Sequence, residues 1–275
     1  IIQHFSAADA LLCGSGSLAL ELALRACGVG AGDEVVLPTF CCSAVVPPIF
    51  AVGATPVLAD VGAELSLTAE TVAAALTRKT KAVIVPHLFG NPAEIDRIVE
   101  LVRGKNIAVI DDAAQALGAT IDGRPVGSFG DAGIVSFGAE KVCFGIGGGA
   151  LVWREGETAR AATALCAPRA IPALKNFLTT WLFRRWRRWT RPLDLLLTPQ
   201  SPNELPLPSR REAMSNLAAA VASSLMQTLG ENISARRARV AAYGAMLRDC
   251  AQIELIPHRA GSACLTQVMR VLPRR

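Results

Sequence analysis

The chain has 275 residues, of which 51% are apolar and 19% charged, with a formal net charge of +5. So much apolar material, in a chain longer than one core comfortably fills, excludes disorder and points to one large domain with part of a second. The arginine-rich positive balance suits an anionic substrate, and no nucleic-acid partner is expected, because bases and aromatics interleave only in the single segment discussed below.

Apolar residues recur at helical spacing over 17–27 (Leu18, Leu22, Ala26), and Gly28 and Gly30 close that helix. The pattern then alternates: a strand at 34–38, a helix at 42–52, a strand at 56–60, a helix at 69–76, a strand at 81–88, a helix at 93–104, and strands at 107–111, 132–137 and 149–153. Strands such as Ala82-Val83-Ile84-Val85 and Ala108-Val109-Ile110 are apolar throughout, as when helices cover both faces of a largely parallel sheet. The fold expected is therefore α/β, with a mostly parallel sheet between two helical layers, and ligands belong beyond the carboxyl ends of its strands. Residues 209–247 read as two long helices. Short strands at 253–256 and 267–272 then open a small, incomplete α+β domain, giving a division into 1–208 and 209–275.

Between these parts, the segment 176–191 (NFLTTWLFRRWRRWTR) holds three Trp, two Phe and five Arg, within an insert at about 170–200. Its composition fits an amphipathic helix making weak contact with a membrane surface, or a helix that packs its aromatics on its own protein or on a twin subunit. No apolar run reaches the ~20 residues needed to cross a bilayer. The start, Ile1-Ile2-Gln3-His4-Phe5, has no signal-peptide pattern and reads as an internal starting point. Cys13, Cys27, Cys41, Cys42, Cys143, Cys166, Cys250 and Cys264 show no metal spacing and read as reduced, mostly buried thiols of a cytoplasmic protein.

Three passages carry candidate chemistry. In Val109-Ile110-Asp111-Asp112-Ala113-Ala114-Gln115 a strand ends in two carboxylates, which suits a positive ligand group, a magnesium ion or the cap of a following helix. In Ser136-Phe137-Gly138-Ala139-Glu140-Lys141 a lysine follows another strand and precedes Gly145-Ile146-Gly147-Gly148-Gly149; it is either an ordinary solvated lysine or a functional amine. Those glycines precede a strand instead of opening a helix, so they do not suit a dinucleotide loop. Finally, Cys13-Gly14-Ser15-Gly16-Ser17 stands ahead of the first helix as a phosphate cradle or as a plain serine cap. Together the three supply the parts that hold pyridoxal phosphate. His87 and His258 read as structural.

In this order, GSGSLALELALRACGVGAGDEVVLPTF, GATPVLADV, KAVIVPHLFGNPAEID, VIDDAAQALGA and SFGAEKVCFGIGGGALV resemble the DegT/DnrJ/StrS family of sugar aminotransferases, over about 12–152 and again at Ala213-Met214-Ser215-Asn216-Leu217. The resemblance implies the fold of aspartate aminotransferase and pyridoxal 5'-phosphate as cofactor. It implies that Lys141 carries the cofactor and then acts as general base and acid, and that Asp112 keeps the pyridine nitrogen protonated. It further implies Gln115 on the ring's phenolic oxygen, Ser136, Gly16 and Ser17 on the phosphate, and a supporting role for Asp111. No metal is implied. The substrates implied are a nucleotide-linked keto sugar and glutamate or glutamine as amino donor, handled by a homodimer.

Two departures stand out. Cys42 occupies the position where relatives usually stack an aromatic on the ring, and Arg210 and Arg211 fall near a usual asparagine. A related sugar dehydratase would carry a histidine in place of Lys141. A catalytically impaired member, serving as a sensor or membrane-peripheral protein, would bind cofactor without turnover.

Overall fold

The computed structural model of the chain describes residues 1–143, 145–153, 165–168, 174, 178 and 211–272. Nearly all of the 176–191 segment, and with it any membrane or subunit contact through its Trp and Arg residues, lies outside the described residues.

A seven-stranded sheet has the order β1-β9-β8-β5-β4-β2-β3. Its strands are β1 (Asp9–Cys13), β2 (Glu34–Pro38), β3 (Thr55–Ala59), β4 (Thr80–Pro86), β5 (Ala108–Asp112), β8 (Ala132–Ser136) and β9 (Gly149–Trp153). Pairings β3-β2-β4-β5-β8 are parallel, while β9 runs antiparallel to both β8 and β1. Strands β1, β2, β4, β5 and β8 therefore all deliver their carboxyl ends to one edge of the sheet. A separate two-residue pair, β6 (Thr120–Ile121) and β7 (Arg124–Pro125), forms a hairpin.

Period-two alternation sorts the apolar strand residues between two faces. Val35, Leu37, Ala82, Ile84 and Ile110 pack with α2 (Gly16–Ala26) and α3 (Val46–Ala51) on one side. Val36, Val83, Val85 and Val109 pack with α4 (Ala69–Ala75) and α5 (Ile95–Val102) on the other. A third cluster joins Val135, Ala150 and Val152 to Phe5 of the short α1 (Ile2–Phe5) and to Met214, Ala218, Ala222, Leu229 and Ile233. The last four of these come from α6 (Asn216–Gln227) and α7 (Leu229–Met246). Each fully buried Val, Leu or Ile contributes on the order of 1.5–3 kcal/mol, so these continuous apolar strands suffice to hold the layers together.

Several expected bounds shift for local reasons. The helix expected at 42–52 begins at Val46, because Cys42 is extended (φ −66°, ψ 130°) and a 3-10 turn over Ser43–Val45 intervenes. The strand expected to reach residue 88 stops at Pro86; Phe89 is left-handed (φ 59°, ψ 14°) and turns the chain away. The segment 211–215, expected to be helical, is extended and bridges to Cys13 and Cys166. The strands expected at 253–256 and 267–272 are β10 (Ile253–Leu255) and β11 (Met269–Val271), which pair antiparallel as a separate two-stranded sheet. Among the described residues no helix is long and apolar enough to cross a membrane. All eight cysteines are free; Cys13, Cys143 and Cys264 are buried, but Cys42 and Cys166 are exposed.

Candidate active site

Beyond the carboxyl ends of the strands lies a cavity of about 200 Å³ lined by Gly16, Ser17, Cys42, Asp112, Gln115, Ser136 and Lys141. All seven residues read from the sequence as cofactor contacts thus face one space, although they come from four separate stretches of chain. Its remaining wall includes Leu20, Ala44, Val45, Pro86, His87 and Ile134.

One end is built by α2. Ser15 caps the helix, its side chain accepting from the Leu18 N–H at 3.1 Å. The next N–H groups, of Gly16 and Ser17, have no partner among the described residues and carry the positive end of the helix dipole toward the cavity. Gly16 is required by space: a Cβ there would lie 2.9 Å from the Ser136 Cβ. The glycine run from Gly145 is explained in the same way. A Cβ on Gly149 would fall 2.7 Å from the Gly16 nitrogen, and one on Gly148 would strike Met214, so the run lets β9 start flush against the helix terminus.

At the other end the two adjacent carboxylates have different surroundings. Asp111 is fully buried with both oxygens bonded: Oδ1 lies 2.7 Å from His87 Nε2, and Oδ2 accepts from the Phe129 N–H at 2.8 Å. Because His87 Nδ1 accepts from the Ala93 N–H at 2.9 Å, the network assigns the ring proton to Nε2, which donates to Asp111. Asp111 is therefore a tie between β5, β4 and the turn before β8, with both oxygens already engaged within the protein. Among the described residues no group of three or more His, Cys, Asp or Glu is arranged to hold a metal.

Asp112 is also buried, but only Oδ1 is engaged, by the Ala114 N–H at 2.9 Å. This bond closes a local turn, and no regular helix follows for Asp112 to cap. Burial pushes the Asp112 carboxyl above its ordinary value, and the Ala114 N–H, His87 and Lys141 pull it back only in part. A carboxylate held this way is a waiting acceptor for a cationic N–H. Gln115 is fixed in one orientation, since its Oε1 accepts from the Phe89 N–H at 2.9 Å; its amide NH2 is the end left to donate.

Lys141 is half-buried and closes a tight turn, its N–H donating to the Gly138 carbonyl at 3.2 Å. A Cβ on Gly138 would stand 3.7 Å from both the Lys141 Cγ and the Ser136 Oγ, so the lysine stem and the serine hydroxyl flank the same turn. Cys42 is exposed beside the cavity, and burial pushes its neighbour Cys41 up to about 11. Arg211 is bonded to Glu21 at 3.0 Å, and Glu21 also binds Arg25, so this guanidinium braces α2 of its own chain. Arg210 lies outside the described residues. His87, read from the sequence as structural, stands directly after β4 in the cavity wall with both ring nitrogens committed, to Asp111 and to the Ala93 N–H.

Comparison with known proteins narrows the reading. An Acidithiobacillus ferrooxidans UDP-N-acetyl-3-dehydro-alpha-D-glucosamine 3-aminotransferase is 46% identical over 141 residues, 51% of this chain and 38% of that protein. A GDP-perosamine synthase of Escherichia coli O157:H7 is 40% identical over 136 residues, 49% of this chain and 37% of that protein. The chain thus spans well under two thirds of the curated relatives it matches. The aminotransferase TlmJ from Streptoalloteichus hindustanus superposes with a TM-score of 0.76 at 28% identity, covering 98% of this chain and 68% of that one. A description of the DegT/DnrJ/EryC1/StrS aminotransferase family matches residues 1–274, and on that match the chain belongs to this family.

Proposed function

We propose that this chain is the cofactor-bearing part of a pyridoxal phosphate-dependent aminotransferase acting on a nucleotide-linked keto sugar, with glutamate or glutamine as amino donor. The observation that carries this reading is the convergence of Lys141, a half-satisfied buried Asp112 and the open first turn of α2 on one cavity. Relatives named for transamination of sugar and cyclitol substrates support it, including an L-glutamine:2-deoxy-scyllo-inosose aminotransferase of Streptomyces kanamyceticus at 42% identity over 147 residues.

The residues present fit pyridoxal phosphate on their own chemistry. Asp112 offers an unbonded oxygen in a site that disfavours its bare charge, which a protonated ring nitrogen relieves. Gln115 offers an amide donor suited to a phenolic oxygen. The Gly16 and Ser17 N–H groups and the Ser136 hydroxyl offer donors suited to a phosphate, while the Ser17 hydroxyl donates to the Ala44 carbonyl at 3.4 Å. When bound, the cofactor supplies an electron sink for the carbon that gains or loses its amine. Lys141 supplies the amine that anchors the cofactor and moves the proton at the substrate carbon. Cys42 covers one ring face with a small polarisable sulfur. Ile134, Val45 and Leu20 exclude water from that wall. A homodimer in the cytoplasm is the setting that accompanies this reading.

The test is single-turnover amination: chain loaded with pyridoxamine phosphate is mixed with a panel of UDP-, GDP- and dTDP-linked keto sugars. Formation of an amino sugar together with the pyridoxal form supports the reading. A chain that binds the cofactor yet turns over none of the panel, and is not converted by glutamate or glutamine, is a binding protein instead.

A further inference from the structure

Two parts of the proposed site are joined through a region that does not line the cavity. The Val142 carbonyl, next to Lys141, accepts from Asn232 Nδ2 at 3.0 Å. Asn232 Oδ1 in turn accepts from Arg236 Nε at 2.8 Å, and the other arm of that guanidinium, Nη1, donates to the Leu265 carbonyl at 3.1 Å. The Leu265 N–H donates to the Phe89 carbonyl at 2.9 Å, and the Phe89 N–H holds the Gln115 Oε1. Arg236 stands in the middle of this series, half-buried on α7, with each arm committed to a different half.

The Phe89 link is the strained one. Phe89 (φ 59°) and Gly90 (φ 81°) are consecutive left-handed residues, a conformation that phenylalanine keeps only where the surroundings enforce it. They are enforced by the segment 262–266: the Leu265 and Thr266 N–H groups bond the Phe89 carbonyl, while the Ala263 N–H and the Ser262 hydroxyl bond that of Gly90. Contact is close enough that a Cβ on Gly90 would lie 2.6 Å from the Leu265 nitrogen. If this turn relaxes, the Gln115 amide loses the bond that decides which end faces the cavity.

We propose that Arg236 is a positioning residue that ties the Lys141 loop to the Gln115 amide through the segment 262–266, so that the amine and the amide donor are set together. The inference rests on the reading of the cavity as a pyridoxal phosphate site. Lysine cannot replace Arg236, because one ammonium lacks the rigid fork that reaches both acceptors at once.

The test compares the unaltered chain with Arg236→Lys and Gly90→Ala, which open the series at its middle and near the Gln115 end. Amide hydrogen exchange without cofactor, the affinity for pyridoxal phosphate, the absorbance maximum of the bound cofactor and the thermal midpoint are measured for each. In Arg236→Lys, exchange is expected to rise together at 88–90, 141–143 and 263–266. Cofactor affinity is expected to fall about tenfold, in line with loss of a hydrogen bond to a charged group, with a shifted absorbance maximum. Gly90→Ala should raise exchange at 141–143 as well. Faster exchange confined to α7, or a lowered midpoint with the affinity and maximum unchanged, overturns the proposal. If the unaltered chain gives no Lys141-dependent cofactor band, the aminotransferase reading fails; the exchange data still decide whether Arg236 joins the two segments.

Discussion

The two ends of the cavity are built on opposite plans. At the α2 end the chain leaves donors open, at Gly16 and Ser17, and removes side chains so that β9 can approach. At the β5 end it places two carboxylates side by side, closes one completely and leaves the other half-open. Openness in a buried polar group is a cost to folding and therefore a marker of ligand chemistry, whereas a saturated group of the same type serves the fold. By that criterion Asp111 and Asp112, adjacent and chemically identical, belong to different categories.

The sharpest way to break this comparison is to remove the two carboxylates separately. Asp111→Ala leaves the His87 Nε2–H and the Phe129 N–H buried without partners, and at about 1–3 kcal/mol for each unpaired donor a loss of roughly 2–6 kcal/mol in unfolding free energy is expected from chemical denaturation. Asp112→Asn should behave oppositely, keeping or raising stability without cofactor while weakening cofactor chemistry by roughly 10- to 150-fold, the equivalent of about 1.5–3 kcal/mol. A fall in stability for Asp112→Asn as large as for Asp111→Ala contradicts the distinction.

The pH dependence carries the same sign. The folded-state value of Asp112 is raised, so the folded chain holds this proton more tightly than the unfolded chain does. Stability without cofactor is then lost as pH rises from the ordinary carboxylate range through the folded value. The advantage of Asp112→Asn should be present near neutral pH and vanish on acidification, as parallel denaturation series will show. Smaller effects are expected at the α2 end and on the ring face. Gly16→Ala forces a Cβ against Ser136 and should weaken pyridoxal phosphate binding about tenfold in a fluorescence titration. Cys42→Ala removes only a sulfur contact, worth about 0.3–1.5 kcal/mol, so a two- to tenfold weakening is expected in the same titration.

Much of the fold can be read locally. Glu34–Pro38 and Gly149–Trp153 lie where apolar runs bounded by glycine, proline or charge indicate strands. The candidate site residues stand out because each follows such a strand or opens such a helix, and the topology then brings them together. What escapes a local reading depends on distant partners. The strand Asp9–Cys13 is recognisable only once β9 is beside it, and the pair Thr120–Ile121 and Arg124–Pro125 is too short to leave a period. The different surroundings of Asp111 and Asp112 depend on His87, 24 residues away, and the series through Arg236 spans elements far apart in sequence. Neither carries a sequence signal beyond residues that are common in any helix or turn.

The central claim is that Lys141 and its surroundings hold pyridoxal phosphate for transamination. Its most direct test is the absorbance spectrum of the purified chain with added pyridoxal phosphate, beside Lys141→Ala, before and after addition of glutamate. A visible band that requires Lys141 and is bleached by glutamate is the result expected. A band that persists in Lys141→Ala, or no band at all in the unaltered chain, contradicts it.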